Sequence, residues 1–273
     1  MATEADEPVV GILDEEWGAI AALGQELADP EWDMPSECPG WSVRDVMAHM
    51  IGTERDLLGD PAPSTPTPLP VHVHNDVGAH NEAWVASRRS QPGEVVLDEF
   101  RSVTARRLDQ LRSWPSSRFD ETGPSPVGNV PYREFMHVRV MDCWVHEQDI
   151  RVATGRPGHD DGPAARLAFD RLCSAVPFVV GKRAAAPEGA SVRFELRGPM
   201  ARRLDVVVRG GRATTVADLD EEPTAALDMD AEVFWRLACG RVTGPAARSA
   251  GLVEVRGDTE LGGRVVDALA IMI

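Results

Sequence analysis

Apolar positions recur at helical spacing over residues 8 to 28, at Val9, Ile12, Leu13, Trp17, Ile20 and Leu23, until Pro30 stops the pattern. After the turn signal Cys38-Pro39-Gly40 a second helix is well specified. Ser42 is placed to cap it with Asp45 three residues on, Trp41 precedes the cap as a staple for Val46, and the stripe Val46, Met47, Met50, Leu57 carries it to about Leu58. Pro61, Pro63, Pro66, Pro68 and Pro70 then require an extended connector, because proline neither donates a backbone hydrogen bond nor tolerates a helix interior. A third helical stretch is predicted from Val73 to Arg89 and a fourth from Val95 to Trp114, with Phe100, Val103, Leu108 and Leu111 on its apolar face. Residues 115 to 131, rich in proline, glycine and serine, read as a long loop. The strongest helix runs from Tyr132 to about Thr154, where Gly155 and Pro157 end it.

The pattern changes near residue 160. Ala164 to Ala186 still reads as helix, divided or kinked at Pro177, but Ser191 to Leu196 and Arg203 to Arg209 alternate as strands do. Gly210-Gly211 before Arg212 to Val216 is a two-residue hairpin signal. A helix over Ala231 to Cys239, a short strand at Val253 to Val255 and a final helix from Thr259 to Ala270 complete the reading. Two domains follow: an all-α unit over residues 1–158 and an α+β unit over 159–273.

The 273 residues are enough for two domains, and 43% hydrophobic content supplies their cores. A net charge of −16 excludes nucleic acid and anionic membrane surfaces as partners, since both demand clustered cations. Lys182 is the only lysine beside many arginines, which fits a GC-rich genome better than a binding signature. The start, Met1 to Glu7, is acidic where a secretory signal is basic and then apolar, and no stretch is apolar for the roughly 18 residues a membrane span needs. Cys38, Cys143, Cys173 and Cys239 are scattered, as reduced buried thiols are. The expectation is a soluble, cytoplasmic protein, a monomer or a homodimer.

Among the seven histidines, His146 lies four residues after Asp142 on the strongest helix, so both project from one face a turn apart. His49, in the apolar stretch of the second helix, can supply a third donor from across a bundle core. Two imidazoles and a carboxylate suit Zn²⁺ or another first-row divalent metal, and three protein ligands leave a position open for chemistry. Asp149, three residues beyond His146, is placed to accept a hydrogen bond from a ligand imidazole. An Asp and a His four apart are more often a surface ion pair, and a histidine among apolar residues is more often a hydrogen-bonded core residue, so spacing alone leaves the metal as one reading among several. His72 and His74 flank the proline-rich connector and read as solvated; His80, four before Trp84, could line a pocket; His137 faces away from His146. No cysteine shows a base to activate it, and no phosphate loop, nucleophile elbow or dinucleotide fingerprint is present, so no catalytic side chain or cofactor-binding loop is assigned.

The segment Glu37-Cys38-Pro39-Gly40-Trp41-Ser42-Val43-Arg44-Asp45-Val46-Met47-Ala48-His49-Met50 resembles the "cPGWtVrDlvaHl" signature of the maleylpyruvate isomerase N-terminal domain. Arg139 to Ile150 is similar to that family's "R-x-x-E-x-x-x-H-x-x-D" helix. The resemblance implies a DinB-like four-helix bundle followed by a sterol-carrier-like α+β domain. It implies a metal triad falling on His49, Asp142 and His146, with Asp142 standing where the family usually has the longer Glu. It also implies mycothiol as thiol cosubstrate. The expected function is a divalent-metal-dependent enzyme acting on a small electrophile, a thiol transferase or, second to that, an isomerase like the maleylpyruvate isomerase of the family name. Arg202, Arg203, Arg236 and Arg241 are then available for a carboxylated substrate. The rival expectation is a non-catalytic protein of the same fold that binds metal or a small ligand.

Overall fold

Each helix predicted by apolar spacing in the first half is present, with ends set by local chemistry. In the computed structural model, which describes residues 7–272, these are α1 (Pro8–Gln25), α2 (Val43–Leu58), α3 (Asp76–Ala86), α4 (Gly93–Arg112) and α5 (Tyr132–Thr154). The acidic opening, residues 1–6, lies outside the described residues. Ser42 accepts from the Asp45 backbone N–H while the Asp45 side chain accepts from that of Ser42, the reciprocal cap the sequence predicts. α3 begins later than its apolar pattern, because Asn75 caps it by accepting from the Gly78 N–H at 2.7 Å. The segment read as a loop between α4 and α5 instead holds a 3₁₀ turn at Ser116–Asp120 and a small hairpin, β1 (Thr122–Ser125) with β2 (Gly128–Pro131). Four-residue strands are too short to show an alternating pattern.

α1 and α2 each pack on both α4 and α5, forming a four-helix bundle, and α3 covers α2. The interior buries Leu13, Ile20, Met47, Ile51, Phe100, Val140 and Trp144. It also buries charge. Glu54 of α2 accepts from Arg139 of α5 at 2.7 and 3.0 Å through one oxygen and from Arg107 of α4 at 3.3 Å through the other. All three side chains are almost fully enclosed, so each charge depends on its partners for the solvation it has lost.

The second compact unit begins at Asp160. It comprises α6 (Gly162–Ser174), a broken turn α7 (Val176–Phe178) continuing as π-helix to Arg183, β3 (Ser191–Arg197), β4 (Arg202–Arg209), β5 (Arg212–Val216), β6 (Ala225–Asp230), α8 (Ala231–Ala238), α9 (Gly244–Ser249), β7 (Val253–Gly257) and α10 (Thr259–Asp267). Strand β6 and helix α9 have no counterpart in the sequence prediction: β6 is a six-residue run directly abutting α8, and α9 is only six residues long. The sheet order is β5-β4-β3-β6-β7, with β3 and β6 parallel and the other pairs antiparallel. Gly210 and Gly211 both have positive φ, which is what the tight β4–β5 turn needs. Phe194 on β3 packs against Phe234 of α8, which in turn meets Phe169 of α6. Arg202 pairs with Asp170, Arg203 with Asp205, Arg236 with Glu232, and Arg241 donates to the Cys239 carbonyl, so the four arginines offered for a carboxylated substrate all have partners. Among the described residues no helix is long and apolar enough to cross a membrane.

Candidate metal centre

Asp142, His146 and Asp149 occupy one face of α5, at positions i, i+4 and i+7, and α2 packs on that helix. His49 comes from α2, whose start is fixed by the Ser42 cap directly after the Cys38-Pro39-Gly40 turn. Gly40 is required there twice over: its φ is +78°, and a Cβ would lie 2.2 Å from His72 Nδ1. The turn thereby sets Trp41 against the histidines, its ring centroid 5.2 Å from that of His49 and 6.5 Å from that of His146.

The sequence-predicted donors are brought together. His49 Nε2 lies 3.6 Å from Asp142 Oδ2, and His146 Nε2 lies 3.6 Å from Asp142 Oδ1. Those separations are too long for good N–H···O hydrogen bonds. Two atoms bound tetrahedrally to one Zn²⁺ at about 2.1 Å stand about 3.4 Å apart, which is close to what is seen. Donor atoms of all three residues fall within 4.8 Å of one another. The shorter aspartate therefore still reaches both imidazoles.

Protonation suits the same purpose. Burial pulls the His49 imidazole below its ordinary value, against the opposing influence of Asp142, so the ring is neutral with a lone pair to give. For Asp142 burial pushes upward, but the Arg139 guanidinium and then the two histidines hold its carboxyl well below the usual range. Arg139 Nη1 donates to Asp142 Oδ2 at 2.6 Å and so also fixes the carboxylate's orientation. His146 Nδ1 lies 3.0 Å from Asp149 Oδ2; with that nitrogen donating, Nε2 carries the lone pair toward Asp142 and His49. Asp149 is fully buried.

Sequence reasoning missed three contributors. Cys38 places its thiol 3.2 Å from Asp149 Oδ2 and 3.9 Å from His146 Nδ1, giving a second, overlapping group of donors. Its position in the signature is a signal that went unused. His72, read as solvated, is instead held 3.1 Å from Glu82 Oε2, which also accepts from Trp41 Nε1 at 3.1 Å, so His72 belongs to the wall behind the tryptophan. Burial tends to raise Glu82, and hydrogen bonds from Arg89, Trp41 and His72 bring it below its ordinary value. His74 is exposed, His137 is half-buried beside Glu134, and His80 pairs with Asp56 at 2.6 Å on the surface. Cys143 is enclosed and its thiol is pushed up by burial, and burial raises Cys173 to about 11, so neither is a nucleophile at neutral pH.

Comparison with known proteins bears on the family and the fold. The model of the mycothiol maleylpyruvate isomerase N-terminal domain matches residues 13–151, and that of the SCP-2 sterol transfer family matches residues 169–270. The chain is 25% identical over 202 residues to "Uncharacterized protein Rv0036c" of Mycobacterium tuberculosis, covering 70% of this chain and 74% of that one. It is 24% identical over 161 residues to "Uncharacterized protein Rv0738" of the same organism, covering 58% and 71%. Among solved structures it is similar to that described as "Crystal structure of the mycothiol-dependent maleylpyruvate isomerase", at 18% identity and a TM-score of 0.56, covering 89% of this chain and 93% of that one. This last likeness establishes the fold.

Proposed function

Since the chain belongs to the mycothiol maleylpyruvate isomerase N-terminal domain family, we propose that it is a divalent-metal-dependent enzyme using mycothiol as cosubstrate and acting on a small electrophile. The observation that carries this reading is the Asp142 carboxylate set between two imidazole Nε2 atoms at 3.6 Å each, with His146 oriented from behind by Asp149. His49, Asp142 and His146 would hold the metal, with Zn²⁺ the best match to two nitrogens and one oxygen. A cation held there supplies Lewis acidity that lowers the pKa of a thiol presented to it, which is the activation that both thiol conjugation and thiol-assisted cis–trans isomerisation require.

The chain's own residues prepare that chemistry. Arg139 fixes Asp142 and keeps it ionised; Asp149 fixes the His146 tautomer; burial keeps His49 neutral. The Trp41 ring, anchored through Glu82, screens one side of the histidine pair from water. Transfer and isomerisation differ only after the thiol has added. An electrophile with a leaving group loses that group with its bonding pair and ends as a conjugate. Thiolate addition to an activated cis double bond instead leaves a single bond, which rotates before elimination expels the thiolate and restores the double bond in the trans form.

The test pairs metal content with thiol consumption. Zinc-loaded wild type is expected to consume mycothiol with an alkylating electrophile, or to isomerise a cis unsaturated dicarboxylate without net thiol loss. His49→Ala is expected to lose zinc affinity by more than the roughly 10–100-fold that loss of a supporting residue costs, and to lose turnover with it. Wild type that binds zinc tightly yet turns over neither class of electrophile would identify a binding protein and end the enzyme reading.

A further inference from the structure

Away from the His49–Asp142–His146 centre, α1, α5 and the segment after α5 bring a second set of donors together: Glu16, Glu147 and His159, with one donor atom from each within 4.8 Å of the others. Glu147 adjoins His146 in sequence, but one residue turns the helix by about 100°, so it faces away from the first centre and toward α1. We propose that Glu16, Glu147 and His159 form a second, structural site for a first-row divalent cation.

The argument starts from Glu16. This carboxylate is completely enclosed, and among the described residues no N–H or O–H donates to either of its oxygens. Its one polar neighbour in hydrogen-bonding reach is the second carboxyl, Glu147, with which it can share only a proton. A buried carboxylate without donors loses its hydration and gains nothing in return, which native interiors avoid. Its ion-pair partner His159 Nδ1 stands 3.7 Å away and bonds Glu147 Oε2 instead, at 2.5 Å. Glu147 divides its two oxygens: Oε1 takes Arg151, at 2.8 Å from Nε and 2.7 Å from Nη2, and Oε2 is turned into the cluster. Two carboxylates thus converge on one point with a single imidazole between them.

Burial, and then the charge and hydrogen bonding of Glu147, raise Glu16 well above its ordinary value, with Arg151 opposing them. The third donor is held in place by its backbone. The His159 carbonyl accepts from Trp144 Nε1 at 2.9 Å and Gln148 Nε2 at 3.2 Å, which keeps this residue at a φ of +54° that non-glycine residues rarely adopt. Two carboxylate oxygens and an imidazole nitrogen are donors that Zn²⁺ and its first-row neighbours accept. A cation there would take the place of the proton that burial keeps on Glu16 and would tie the start of the bundle to the end of α5. The enclosure of both carboxylates fits a structural role.

His146→Ala provides the test, because it removes a ligand from both the His49–Asp142–His146 and the Cys38–His146–Asp149 groups and leaves the second site whole. Dialysed against Zn²⁺, this full-length variant is expected to retain one equivalent of zinc and to melt at a higher temperature with zinc than with chelator. Both effects should vanish when Glu16→Gln is added. His159→Gly, whose backbone the positive φ accommodates, should abolish them too and serves if the Glu16 variant does not fold. A folded His146→Ala protein without zinc shows a carboxyl pair holding only a proton, and overturns the proposal. So does zinc retained undiminished after Glu16→Gln or His159→Gly.

Discussion

Arg139 touches Glu54 with one edge of its guanidinium and Asp142 with another, so it links the buried charges of the bundle to the metal donors. Replacing it by methionine leaves Glu54 with Arg107 as its remaining cationic partner. A loss of roughly 3–5 kcal/mol is expected for a buried ion group broken on one side, read from urea unfolding. Zinc affinity should fall about 10–100-fold because Asp142 is no longer oriented. Arg139→Lys keeps the charge but not the planar fork, and should recover part of the stability and little of the affinity. Unchanged zinc affinity in both variants would remove Arg139 from the metal centre. Glu16 gives a pH signature of its own. Its folded pKa lies well above the ordinary 4.5, so the folded chain holds a proton that the unfolded chain has already released. Stability at this position is therefore greatest in acid and declines as pH rises above about 4.5. In zinc-free protein Glu16→Gln should raise the melting temperature at pH 7, and the gain should shrink to nothing as the pH falls to 4.5 or below. A gain that persists unchanged in acid would mean the carboxyl is not strained by its burial. At this scale the sequence shows that Asp142, His146 and Asp149 share a face, because helical periodicity is local; it does not show Glu16, whose neighbours arrive from 131 and 143 residues away.

Helix α2 is the element on which the site depends most, since it carries His49, Glu54 and the surface that α3 covers. That contact leaves no spare room: a Cβ on Gly52 would fall 2.4 Å from Trp84 Cγ. Gly52→Ala should therefore cost roughly 1–3 kcal/mol through overpacking, in spite of alanine's better helix propensity. Gly18→Ala in α1 is the matched control, because nothing lies within 4 Å of its added methyl. It should stabilise by about 0.5–1 kcal/mol, and denaturant midpoints of the two variants moving in the same direction would contradict the packing described. The long amphipathic helices and the Ser42 cap of α2 were legible because periodicity and capping chemistry sit within a few residues. The β1–β2 hairpin, β6 and α9 were not: the hairpin strands and α9 carry the glycine and proline that read as loop, and β6 is buried along most of its length and so shows no alternation.

For the whole molecule, the three residues proposed to bind catalytic metal all lie before the boundary at His159, and the five-stranded sheet lies after it. Chelation of metal from the loaded protein is expected to raise amide hydrogen exchange in α2 and α5 while leaving β3, β4 and β6 unchanged. Faster exchange in the sheet alone would place the metal elsewhere. The amino-acid sequence by itself determined that the chain has a helical half and a mixed half, the limits of α2 and α5, and which donors line one face of α5. Each of these is set by interactions spanning a turn of helix or a pair of strand residues. Only the tertiary structure decided that His49 meets His146, that Cys38 reaches Asp149, and that Glu16 is enclosed with Glu147 and His159. Such meetings are fixed by how side chains of distant segments interlock in a close-packed interior, a condition no local pattern encodes.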